Sequence, residues 1–551
     1  MLNIFKLTVL IICLIIIPNL QAGIGDTHNS LACPGNFPTG LTFDGQYLWN
    51  ADRQTDSLYQ IDPKSGKIIN TINAPGYQIA DLAFDGQMLW CLDIEEGLIY
   101  RLDPKSGISE KTIYAPCDRP RGMTYDGEYL WLSDISSDNL LQISPEDGTT
   151  IKEFKAPSGN IEGLAFDGTY LWAADRSADK IYLIEPEFGQ VIFFFKAPGK
   201  FARGLAFDGT YLWNCDYQND SIYSLIIKDN EILSRRDEKH QKLQYIEQVR
   251  NYGPGDLLDL EIYIAIPTNR DNQDIVGEIN YNPKPDEFRT DKWGQKVAVW
   301  KYDLLTAGQT VEPSMTVESK LYAITYYIYP EQVGNLAEIP ADVKNLYLTD
   351  NSKFGMSDEF IKESVQKAVG DETNPYWMAR KIYKYIMENM YYELAGGWNI
   401  APTVLKRGSG SCSEYSFVFI AMCRTAGIPA RYVGSVAVRG DDASTDDVFH
   451  RWCEIYLPNV GWFPVDPSGG DQVSPERQAA YFGSLANRFL ITTEGGGGSE
   501  FLEWSYNSNE IWKSRGKVKV HSEHFGEWSP VTENQQDSGE SVQNVGKCEP
   551  K

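Results

Sequence analysis

Phe43-Asp44-Gly45-Gln46-Tyr47-Leu48-Trp49 is the first of five near-copies of one phrase in this 551-residue chain. Phe84, Tyr125, Phe166 and Phe207 open the later copies, each followed by Asp-Gly, at intervals of 41 residues. Trp90, Trp131, Trp172 and Trp213 follow Trp49 at the same interval. Asp-Gly between two apolar runs signals a hairpin, because both positions of a tight two-residue turn take positive φ. Each unit continues with a Tyr-x-Ile-Asp-Pro strand or a variant, a glycine turn and a last strand before Ala-Pro. Four short strands in about 40 residues make one propeller blade. Five blades of 41 residues predict an all-β propeller over 33–230.

An acidic ring accompanies the repeat: Asp52, Asp93, Asp134, Asp175 and Asp216 each stand three residues after a tryptophan. Since all five positions are filled alike, the expected role is bonding of nearby backbone N–H groups rather than cation binding. Function in such a ring is expected from residues that break the repeat.

Past the repeat the chain turns charged (Arg235-Arg236-Asp237-Glu238-Lys239-His240), which reads as a linker over 230–242. Strand-like alternation as in Leu260–Ile266, punctuated by Pro267, Gly277 and Gly294, predicts a β-sandwich over 236–335. Helical signals follow. Ser357 is expected to cap one helix and Pro375 to open another, whose Met378, Ile382, Tyr385, Ile386 and Met390 form an apolar face. An α+β catalytic domain is expected over 345–530, then a disordered tail over 533–551.

The chemistry is carried by Gly408-Ser409-Gly410-Ser411-Cys412-Ser413-Glu414-Tyr415, a glycine-rich loop running into an apolar helix that Gly427 and Pro429 end. A thiol at a helix start meets unpaired N–H groups and the positive dipole end, which favour thiolate. His450 and then Asp466 follow, each in a strand-like run. Alternation puts His450, Trp452, Glu454 and Tyr456 on one face. If that face meets the helix start, the imidazole can take the thiol proton while Asp466 orients the ring.

Four blocks, Gly408–Tyr415, Arg424–Gly434, His450–Tyr456 and Gly461–Pro467, resemble the transglutaminase-like core, a papain-type fold, over roughly 375–490. The resemblance implies Cys412 as nucleophile, His450 as general base and acid, and Asp466 as orienting carboxylate. The first oxyanion donor is the backbone N–H of Cys412, with Trp398 a weak candidate for a second. The propeller is similar in architecture and turn motif to lactonase, YVTN and glutaminyl-cyclase-like propellers, with no enzyme site carried over.

At the N-terminus, Lys6, the apolar run Leu7–Ile17 and the small-residue exit Ala22-Gly23 predict a signal peptide over 1–22 and an exported protein with no membrane insertion after cleavage. A formal charge of −26 and pI near 4.7 argue against nucleic acid or anionic membrane partners. No metal or cofactor motif is present. Eight cysteines remain after processing; a pair within Cys33, Cys91, Cys117 and Cys215 is allowed, whereas Cys412 and Cys423 on one helix cannot bridge. The expected function is amide cleavage or transfer through a cysteine thioester: a peptidase or amidase first, a protein-glutamine transamidase as alternative. A propeller-based binding protein with a degenerate core is the third reading. The expected partner is a protein or peptide substrate recognised by the propeller.

Overall fold

The computed structural model describes residues 23–394 and 397–531. The expected signal peptide 1–22, the tail 533–551 and Cys548 lie outside the described residues. The chain divides into two compact units: one holds most of the propeller repeat, and the other runs from Ile232 and also takes in Phe154–Gly159 and Tyr182–Phe194.

The propeller consists of five four-stranded antiparallel sheets. Its first strands, Pro38–Phe43, Ile79–Phe84, Pro120–Tyr125, Ile161–Phe166 and Ala202–Phe207, neighbour one another in a closed inner ring. The fifth sheet contains a strand from outside the expected span 33–230. Thr27–Ala32 pairs antiparallel with Ser221–Ile226 and supplies the outer strand that the last repeat lacks. The physical reason is edge protection, since Ser221–Ile226 would otherwise present an unpaired edge.

The Asp-Gly turns differ from the expected two-residue hairpin. Four residues, Asp44–Tyr47, connect Pro38–Phe43 to Leu48–Asp52, and of the Asp-Gly pair only Gly45 takes positive φ, +92°. Asp44 instead uses its carboxylate: it accepts the N–H groups of Gln46 and Tyr47 and the indole N–H of Trp49 at 2.8 Å. The same indole bond recurs at Trp90–Asp85, Trp131–Asp126, Trp172–Asp167 and Trp213–Asp208, between 2.7 and 3.0 Å. The 41-residue phrase is therefore one device, a turn carboxylate that seats a buried tryptophan between blades. The aspartate ring is a backbone lock, as expected: Asp52 accepts from Phe37, Gln54 and Thr55, and its four counterparts do likewise.

In the second unit, the segment read as a linker is a 19-residue strand, Leu233–Asn251. Its charged residues occupy a β-bulge and exposed edge positions while Leu243, Tyr245 and Val249 are buried, an amphipathic pattern that the local charge concealed. It lies between Ser314–Tyr326 and Val520–Pro530, and Ser508–Arg515 joins the facing sheet beside Asp256–Ala265. The sandwich is thus not confined to 236–335; two strands assigned to the catalytic domain return to complete both its sheets. Buried Leu243, Tyr245, Trp300 and Met315 of the sandwich share a core with Val436, Phe449 and Leu490 of the catalytic domain.

The catalytic domain packs helix Cys412–Thr425 against an antiparallel sheet ordered Gly461–Val465, His450–Leu457, Ala430–Ala437 and Phe489–Gly495. Helices Glu359–Val369, Pro375–Asn389 and Ala401–Arg407 surround that central helix. Asp358, not Ser357, caps the first of these, its carboxylate accepting from Phe360. Among the described residues no helix is long and apolar enough to cross a membrane.

Candidate active site

Cys412 is the first residue of its helix, after the N-cap Ser411. The loop before it is held from below by Glu414, which is fully buried. The Glu414 carboxylate accepts from the backbone N–H of Ser411 and Asn399, the Asn399 amide and the Arg407 guanidinium at 2.7 Å. A buried carboxylate with this many donors fixes the loop, and with it the direction of the thiol. Gly408 takes φ +76° to end helix Ala401–Arg407, so the glycine there is a turn requirement.

His450 opens its strand opposite Ser435, at the edge nearest that helix start. Its ring lies between Trp452 and Phe489, at centroid distances of 5.7 and 5.6 Å. Nε2 meets Oδ2 of Asp466 at 2.6 Å, and the Cys412 thiol is the ring's second polar neighbour. Oδ1 of Asp466 accepts from Ser468 N–H and hydroxyl and from Gly469 N–H, so the carboxylate is held on both oxygens. The three sequence-predicted residues are therefore brought together.

The electrostatics follow from that grouping. Burial opposes charge on all three groups, yet the attraction between them prevails. The Cys412 thiol sits below its usual range because hydrogen bonding and charge from His450, then the N–H and charge of Arg451, outweigh burial. Burial likewise disfavours a charged His450, but Asp466 and then Cys412 raise it to about 10. Asp466 is lowered against burial by the imidazolium and by its Ser468 and Gly469 donors. The pairing therefore favours thiolate beside imidazolium over the neutral pair.

Two features of the site were not legible beforehand. Phe449 precedes His450 with φ +58°, a strained conformation for a bulky residue. Fully buried Asp446 stabilises that turn, accepting from the N–H groups of Phe449 and Ala437 and from Arg439. Phe449 itself stacks on His524 and packs on Tyr245, both from sandwich strands. The second feature is Arg451, which has no exposure. Its guanidinium lies 4.3 to 5.4 Å from the rings of Tyr506, Tyr432, Trp398 and Phe417. One nitrogen donates to the Trp504 carbonyl, whereas Nε and Nη1 have no hydrogen-bond partner. Only its adjacency to His450 could have signalled it.

Of the tryptophans around the motif, Trp452 is buried packing behind His450 and Trp462 stacks on Arg431 at 4.1 Å. Trp398, 41% exposed, joins the ring cluster over Arg451. A cavity of about 500 Å³ adjoins the triad, lined by Trp452, Asp466, Tyr481 and Phe489 with Arg477 and Arg488. A second, of about 390 Å³, lies around the Arg270–Glu454–Arg431 ion network and contains no nucleophile. The seven described cysteines are free, so no bridge joins Cys33, Cys91, Cys117 and Cys215.

A cysteine on a helix start, a histidine on an antiparallel sheet and a carboxylate bonded to it are the parts of a cysteine-based enzyme. Residues 362–467 match the Transglutaminase-like superfamily, and the chain carries a transglutaminase-like domain there. An uncharacterized protein of Haemophilus influenzae is 26% identical over 240 residues, 37% of this chain. The Bacillus subtilis protein YebA is 21% identical over 171 residues, 27% of this chain. These matches span 62% of the Haemophilus protein and 23% of the Bacillus protein. Among solved structures, a putative cysteine protease from Cytophaga hutchinsonii is similar at 15% identity and TM-score 0.38, covering 54% of this chain and all of that one. Myxococcus xanthus glutaminyl cyclase is similar at 18% identity and TM-score 0.34, covering 37% of this chain and 97% of that one.

Proposed function

We propose that this protein is an exported cysteine peptidase or amidase that cleaves amide bonds through a Cys412 thioester. The observation that carries the reading is the grouping of Cys412 at a helix start with His450 and Asp466, whose imidazole–carboxylate contact is 2.6 Å, His450 lowering the thiol against burial. Sγ of Cys412 attacks the amide carbonyl carbon, and the carbonyl electrons move onto oxygen, which the Cys412 N–H faces. His450 gives its proton to the leaving nitrogen as the C–N bond breaks, releasing an amine and leaving a thioester. Water then gives a proton to His450 and its oxygen to the acyl carbon; the thiolate departs and the carboxylic acid is released. Asp466 stabilises the imidazolium throughout and takes no proton itself.

Transamidation is the second reading, favoured by one observation, the aromatic group of Trp398 and Tyr506 around Arg451, next in sequence to His450. An apolar wall there would admit an amine while excluding water from the thioester. The deciding experiment offers a glutamine-bearing or peptide substrate together with dansylcadaverine. Free acid or a new amino terminus with little dansyl incorporation supports hydrolysis. Incorporation that dominates hydrolysis and vanishes in Cys412→Ala would overturn it in favour of transamidation.

A further inference from the structure

The propeller repeat is regular at the end that carries the Asp-Gly turns and irregular at the other. The second position of the inner strands reads Thr39, Ala80, Arg121, Glu162, Arg203. The loops beside them place Phe37 and Phe201 at one equivalent position and Arg176 and Tyr217 at another. The departures therefore cluster on one side of one mouth of the ring.

Glu162 is buried at 6% exposure, and three guanidiniums converge on it. Arg121, Arg176 and Arg203 approach to 3.8, 3.7 and 3.8 Å, each beyond hydrogen-bond length. One carboxylate cannot satisfy three guanidiniums. Nε of Arg203 is buried with no hydrogen-bond partner, while its guanidinium lies 5.7 Å from the Phe37 ring centroid and 5.5 Å from that of Tyr217. Arg176 lies over Phe201 at 5.5 Å. Burial holds Arg203 below the usual arginine value, with Arg176 and Arg121 pushing the same way against Glu162. The neighbouring repeat aspartates spend their oxygens on backbone N–H groups. Below the mouth the channel is closed. Asp81, fully buried where the other four repeats have glycine, accepts N–H bonds from Leu41, Met123 and Leu164 of three other blades.

We propose that this mouth binds a peptide carboxylate, held by Arg121, Arg176 and Arg203, with the adjoining apolar part of the peptide against Phe37, Phe201 and Tyr217. A planar carboxylate suits the guanidinium fork. The rings favour an organic acid over a free inorganic anion. The chain's charge of −26 repels polyanions.

The test is isothermal titration calorimetry on the full chain carrying Cys412→Ala, which prevents turnover. The probes are an acetylated Phe-Glu dipeptide amide, its Phe-Gln counterpart and inorganic phosphate. The glutamate peptide should bind, with the glutamine peptide and Arg203→Gln each about tenfold weaker. Glu162→Gln removes the competing carboxylate and should tighten the glutamate peptide several-fold. Should Arg203→Gln lose its cooperative melt, Arg121→Gln with Arg176→Gln carries the same expectation. Equal binding of the two peptides, weaker binding in Glu162→Gln, or no heat at about 10 mM would overturn the proposal. Phosphate binding more tightly than the peptide would make this a free-phosphate site and overturn it equally. Because Cys412 takes no part, failure here leaves the catalytic reading untouched.

Discussion

Nε2 of His450 lies 2.6 Å from Oδ2 of Asp466, so the nitrogen left for Cys412 is Nδ1. The carboxylate therefore acts on the proton that the ring does not transfer. It raises the imidazole to about 10 and keeps it charged in the resting enzyme.

That charge state fixes a pH profile. His450 is raised from 6.5 to about 10, so the stability of its pairing is fully present below 6.5 and lost as pH climbs through 10. Cys412 is lowered, so its thiolate forms below the ordinary thiol range. Iodoacetamide alkylation should accordingly be fast at neutral pH. Asp466→Ala should bring the alkaline limit of turnover down toward the ordinary histidine range and cut turnover by about a hundredfold. An unchanged pH–rate curve would contradict this.

Cys412 should be the first thiol modified at limiting iodoacetamide. It is the one described cysteine lowered, whereas burial raises Cys33, Cys91, Cys117, Cys215, Cys423 and Cys453. Peptide mapping by mass spectrometry checks this, and Cys412→Ala should abolish activity. Label appearing first on Cys423 or Cys453 would remove the basis for the triad.

Arg451 should act on the thiol through charge. Its guanidinium has two nitrogens without partners, and among its neighbours the Cys412 thiolate is the group whose charge it complements. Arg451→Met should move the midpoint of Cys412 alkylation upward by about one pH unit. Arg451→Lys, which keeps the charge, should restore most of it. A midpoint that does not move in the methionine variant would mean that Arg451 only packs.

The closing strand Thr27–Ala32 should be required for a folded propeller. Residues 23–231 expressed alone should melt cooperatively, whereas residues 33–231 should lose cooperativity and aggregate, because the edge of Ser221–Ile226 is then unpaired. Circular dichroism melts and light scattering distinguish the two. Equal behaviour would mean that four-stranded closure of the last blade is dispensable.

What the chain declares locally was readable from its order of residues. A 41-residue period, a glycine-rich approach to Cys412, and His450 on one strand with Asp466 just past the end of the next are each local patterns, because turn chemistry, helix capping and strand alternation act over a few residues. Tertiary structure alone decided everything that depends on distant partners. The strand Leu233–Asn251 hides behind the charges of Arg235–His240, since burial is set by its pairing with Ser314–Tyr326 and Val520–Pro530. Thr27–Ala32 completes a sheet nearly 200 residues further along the chain, a pairing that no local pattern encodes. The support of His450 has the same origin: Phe449 is held by Asp446, Tyr245 and His524, and Arg451 by four rings drawn from separate elements. Local rules named the reacting atoms; long-range packing decided their charge and aim.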